Sequence, residues 1–172
     1  MTNSTAKQSF FTSWRLRDAD RSMRFFITAF LLILTSGYVI GLAFVDHTTG
    51  ATPKGLSEQY RGSPENSNAT ELKYAKSPDE MSIFLHNHVL SLSLVFFAVG
   101  GIFYFSSTTS LRVKEFLMVE PFAAILSTFG GIWLMRFVSE YFSWLVMVSG
   151  ATMVGCYFVM VMLILKELWW KR

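Results

Sequence analysis

Four long apolar runs, separated by polar segments, set the plan of the chain. The first is MRFFITAFLLILTSGYVIGLAFV, residues 23–45; the second spans 83–106. The third is FLMVEPFAAILSTFGGIWLMRFV, residues 116–138, and the fourth covers 142–166. Each is long enough to cross a bilayer, which takes about 20 residues of helix. The period-two alternation of a membrane barrel is absent. Helices are therefore expected, because an open strand edge in lipid leaves backbone groups unpaired. The expected fold class is all-α: a polytopic membrane protein built as a four-transmembrane-helix bundle. Residues 1–22 form an N-terminal interfacial segment, 23–166 the membrane domain, 46–82 a polar loop within it, and 167–172 a tail.

The polar segments refine this plan. SFFTSWRLRDADRSMRFF mixes aromatics with arginines, the pattern of a helix lying along the membrane surface. The first apolar run is too long for the core of a signal peptide, follows Asp18 and Asp20, and is not closed by an A-x-A site; it is expected to be an uncleaved anchor. The 46–82 loop is rich in glycine, proline and charge, with local helix expected around GLSEQY and ATELKYA. Its Asn68-Ala69-Thr70 fits a glycosylation sequon without meaning in a bacterium. The closing ELWWKR is an aromatic belt with cationic anchors.

Composition agrees with the pattern. Hydrophobic residues make up 52% of the 172 and charged residues only 16%, against about 25% charged in a soluble domain. Ten of the fifteen lysines and arginines fall at one face: Lys7, Arg15, Arg17, Arg21 and Arg24, then Arg112 and Lys114 in the 107–115 turn, then Lys166, Lys171 and Arg172. Both termini are thus expected in the cytoplasm of a bacterial inner membrane, with the 46–82 loop in the periplasm. The bias accounts for the net charge of +3 as topology, not nucleic-acid binding. The single cysteine, Cys156, excludes an internal disulfide and reads as a small packing residue. Gly37-x-x-x-Gly41, Gly100-Gly101, Gly130-Gly131 and the small residues 149–151 with Gly155 mark close helix approach, chiefly inside the bundle.

Candidate chemistry is sparse. The three histidines, His47, His86 and His88, all fall at the loop end of the first two spans. Residues two apart on a helix point about 200° apart, so His86 and His88 do not chelate one metal from a regular helix. His86 shares a stripe with Ser93 and Gly100 and is expected to face the bundle, with His88 facing a neighbour. His47 with one of the other two supplies the imidazole pair that haem b takes. Arg136, at the end of the third span, then suits the propionates. A copper or zinc ion on the same histidines, completed by Asp46 or Glu140, is the alternative, followed by a quinone head group. Structural use of all three histidines, with no cofactor, is the plainest reading. Glu120 precedes Pro121 and is expected in a helix's first turn, where an acid and a proline are favoured; a proton-relay role is the alternative.

The stretches GLSEQYRG, HNHVLSLSLVFFAVGGIFYFSS, LRVKEFLMVEPFAAIL and GIWLMRFVSEYFSWLVMVSGATMVG together resemble a family of small four-helix bacterial inner-membrane proteins. That resemblance covers about residues 30 to 160. It implies a Y-R-G loop motif at Tyr60, Arg61 and Gly62, an H-x-H at His86 and His88, and an arginine ending the third span at Arg136. It also implies a place near cytochrome or respiratory components.

The expected function is an accessory subunit of a respiratory or electron-transfer system, holding haem b or a metal at the periplasmic face. The alternative is a non-catalytic structural or assembly protein whose loop docks a partner. The expected partners are the lipid bilayer, a membrane protein or second copy, and a periplasmic cytochrome. A transporter is disfavoured: no inverted repeat shows, and few polar residues lie mid-span.

Overall fold

The structure, a computed structural model, describes residues 14–64 and 72–170. A short 3-10 turn, Leu16–Asp18, leads into α1 (Arg21–Thr49), α2 (Pro53–Arg61), α3 (Pro78–Tyr104), α4 (Leu111–Phe137) and α5 (Phe142–Trp169). The four long helices are each apolar and long enough to cross a membrane. This is the expected all-helical, multi-pass architecture. The sequence expectation of a surface helix before α1 falls largely on residues 1–13, outside the described residues; those that follow form the 3-10 turn.

The helices run past the apolar segments because polar residues cap them. Asp20 accepts from the Met23 amide at 2.8 Å and starts α1. Thr52 accepts from the Gly55 amide at 3.1 Å and starts α2, with Pro53 at its first position. Ser77 and Glu80 cap α3 reciprocally, at 3.2 and 2.8 Å, ahead of Pro78. A cap of this kind contributes about 1 kcal/mol. Gly50, at φ 58, ends α1 in the left-handed conformation that glycine adopts without cost.

The core is a three-helix bundle of α3, α4 and α5, with α4 and α5 in the closest association. Gly131 lets them approach: a side-chain carbon there would lie 2.9 Å from Val146. Nearby, the Thr128 and Ser149 hydroxyls are hydrogen-bonded at 2.7 Å. Helix α1 is peripheral. It rests on α2 and lightly on α5, through Tyr38 stacked on Tyr157 at 4.2 Å and Thr35 bonded to the Tyr157 hydroxyl at 3.0 Å. Among the described residues, a side-chain carbon at Gly37 or Gly41 would meet nothing within 4 Å, so this pair faces open space there. Phe26, Ile33, Phe97, Leu126 and Met162 point outward, as lipid-facing side chains do.

Each long helix ends with a main-chain carbonyl held by a cation from elsewhere. Lys73 donates to the Thr48 carbonyl of α1. Lys114 donates to the Tyr104 carbonyl of α3 at 3.0 Å and to Ser106 beyond it. Arg61 donates to the Met135 carbonyl of α4 at 2.8 Å. Arg24 donates to the Leu168 carbonyl of α5 at 2.9 Å, and to Ala19 and Arg17 at 2.8 Å each. The last carbonyls of a helix lack internal partners and carry its negative pole, so cations belong there.

Glu167 is fully buried at the end that carries both termini. Its carboxylate accepts from the hydroxyls of Ser106, Ser107 and Thr108 and from the Ser107 amide. These contacts fasten the α3–α4 turn to α5. Glu167→Ala leaves those donors unpaired and is expected to cost about 2–4 kcal/mol, read as a lower unfolding temperature in detergent; an unchanged temperature would refute this role.

Candidate functional site

The residues singled out by sequence gather mainly at the loop end, opposite the termini. Helix α2 lies across this end against α4 and α5 as well as α1, with Leu56 and Ser57 buried. The chain then returns over it in extended form. The Ser63 amide donates to Lys73 at 2.9 Å, the Lys73 amide to the Ser63 hydroxyl at 3.1 Å, and the Lys76 amide to Tyr60 at 2.9 Å. Residues 72–75 are therefore extended, where the ATELKYA pattern predicts helix; residues 69–71 lie outside the described residues. Pairing with the end of α2 has overridden local propensity.

Tyr60, Arg61 and Arg136 form a two-way latch. Arg61 reaches from α2 to the end of α4 at Met135. Arg136 reaches back from α4 to the loop, its Nε donating to the Lys76 carbonyl at 2.8 Å. The Arg136 guanidinium also sits 4.9 Å over the Phe137 ring. Tyr60 packs on Phe84 of α3, ring centres 5.5 Å apart, and burial pushes its hydroxyl up to about 12. Gly62 is at φ 91, and a side-chain carbon there would lie 2.9 Å from the Ala75 amide. Each member of the Y-R-G motif thus has a structural task.

The histidines are placed differently from one another. His47, His86 and His88 are all exposed, but their contacts differ. The His86–Ser93–Gly100 stripe passes from exposed through half-buried to buried, so it faces the bundle only toward the end carrying the termini. His88 instead contacts the neighbouring helix α4. Its ring packs on Phe84 at 4.2 Å and on Phe129 at 5.5 Å, and its Nδ1 is bonded to the Phe84 carbonyl at 2.9 Å. Helix α1 packs on α2 and α5, not along α3. Among the described residues, no three His, Cys, Asp or Glu side chains are placed to hold a metal ion.

Glu120 lies well inside α4, which begins at Leu111, not in a first turn. It is half-buried and accepts a hydrogen bond from the Cys156 thiol of α5 at 3.2 Å. Pro121 beside it removes the amide that would bond the Leu117 carbonyl. A carboxyl at this depth with a thiol partner is a weakly satisfied group. The buried Tyr38 hydroxyl, on α1, has no partner among the described residues.

Two groups escaped sequence reasoning. Glu167 read as part of an ordinary interfacial tail, and its partners lie 59 to 61 positions away. The hydroxyl run Ser106-Ser107-Thr108-Thr109-Ser110 was the available signal. Lys73 and Arg24 read as topology charges, although each sits within reach of a helix end.

Comparison with protein families matches residues 50–172 to a family model described as a transmembrane helical domain. The match begins where α1 ends and takes in α2 through α5. Comparison with curated proteins and with solved structures finds no match.

Two outcomes test the latch. Arg61→Ala and Arg136→Ala each remove a charge-assisted bond of about 1.5–3 kcal/mol, and both should speed proteolysis within the loop. Because they hold one segment, the double variant should lose less than the sum of the singles. Tyr60 gives a pH signature. Its folded value of about 12 exceeds the ordinary 10.0, so its contribution to stability is intact below pH 10 and fades as pH rises through 12. Stability measured across pH 9 to 12 should therefore fall less steeply in Tyr60→Phe.

Proposed function

The chain belongs to the Aq_1264_TM family of transmembrane helical domains, and from that premise we propose a non-catalytic accessory or assembly membrane protein that docks a partner on its loop end. The observation that carries this reading is the latch. Arg61 and Arg136 are spent on main-chain carbonyls, and they turn a linker into a preformed surface. That surface shows Leu72 and Tyr74 outward, Tyr74 at 84% exposure. Exposed large apolar side chains on a segment held at Lys73 and Lys76 favour a protein contact, because pre-ordering lowers the entropy lost on binding. The charge bias favours the periplasmic side of a bacterial inner membrane for it.

A second reading keeps the respiratory setting. His88 has its Nδ1 on a backbone carbonyl, the arrangement that fixes a tautomer and leaves Nε2 for a metal or haem iron. The other axial imidazole then comes from a partner or second copy.

One preparation separates the two. The chain is purified in mild detergent, its absorption spectrum and metal content are recorded, and a photo-crosslinking residue replaces Tyr74 in cells. Docking predicts a discrete cross-linked species that Arg61→Ala reduces, and a spectrum without haem. A Soret band abolished by His88→Ala, with no cross-linked species, would transfer the assignment to the haem reading.

A further inference from the structure

Two clefts adjoin at the end that carries the termini. One, of about 400 Å³, is lined by Arg15, Arg17, Lys114, Ser106, Ser107 and Thr109. The other, of about 310 Å³, is an apolar groove between α3 and α4, lined by Phe97, Gly100, Gly101, Tyr104, Met118 and Phe122 among others. They share an edge. Tyr104 and Phe105 of the groove run directly into Ser106 and Ser107 of the cleft, and Lys114 and Met118 are one helical turn apart on α4.

We infer that this pair of clefts binds an anionic phospholipid, its phosphate in the cationic cleft and an acyl chain in the groove. The cleft has the donors a phosphate needs. The first amides of α4, from Leu111 to Val113, have no helical partner, and Ser110 does not cap them. A helix start of this kind favours an anion. The Thr109 hydroxyl is buried and unpartnered. Arg15 and Arg17 add guanidiniums, which match phosphate geometry. Among the described residues, the one ion pair of either is Arg17 with Asp18 at 3.8 Å, both exposed, and such a pair holds weakly. The buried Glu167 carboxylate nearby is engaged by its own hydroxyl and amide donors.

The groove argues for a lipid over a free phosphate. Its outer wall is open: Gly101 meets nothing within 4 Å, while Phe97 and Tyr104 are exposed. It lies on the membrane-facing side of two spanning helices and leads to the cationic cleft at the interface, where the head group of a lipid sits. This inference is independent of the loop-end reading.

The test uses the full chain in mild detergent, with phosphatidylglycerol, phosphatidylcholine or inorganic phosphate added and retention read by native mass spectrometry. Phosphatidylglycerol should be retained about tenfold more tightly than phosphatidylcholine, each nearby cation contributing on the scale known for anionic membranes. Arg15→Gln with Arg17→Gln should erase that preference while helicity and unfolding temperature hold. Gly101→Leu, which fills open space, should weaken phosphatidylglycerol alone. Equal retention of the two lipids, or a preference that survives the arginine changes, overturns the inference. Displacement by inorganic phosphate with no effect of Gly101→Leu marks a soluble-phosphate site and overturns the lipid assignment.

Discussion

A spanning helix must satisfy its last carbonyls where water is scarce, and the whole arrangement turns on how this chain does so. Every long helix ends against a lysine or arginine supplied by another segment: Lys73 for α1, Lys114 for α3, Arg61 for α4 and Arg24 for α5. The hydrophobic effect does little to hold helices together in lipid, which is as apolar as leucine. Directed polar contacts at the helix ends therefore fix which helix stands beside which. Glu167 does the complementary task, collecting free donors of the α3–α4 turn.

This also accounts for the cations that break the topology bias. Arg61, Lys73 and Arg136 sit on the loop side, where few basic residues are expected. Helices α1 and α4 end on that side, so their negative poles lie there. Two of the three cations cap those poles, and Arg136 ties the returning loop down. Arg136, a propionate candidate from sequence, has its Nε on the Lys76 carbonyl.

The spans were legible because hydropathy reports hydrocarbon thickness directly. Their ends were not, since Asp20, Ser77 and Glu80 extend helix into polar sequence that a hydropathy reading gives to loops. Period-seven reasoning on α3 failed locally. It assumes a helix buried along its length, whereas α3 is packed tightly near Gly100 and open near His86. The polar partners were illegible for a plainer reason: an arginine in a sequence does not say which carbonyl it will find. Tyr60 and Arg61 stood out in the sequence as motif members and Arg136 as a ligand candidate, with no sign that they would form a latch.

The fastening of α1 has a consequence for biogenesis. One of its ties, Arg24 to the Leu168 carbonyl, joins residues 144 positions apart. Until Leu168 leaves the ribosome, α1 lacks that partner. Its contacts with α5 therefore form only after the intervening helices α2, α3 and α4 have been made.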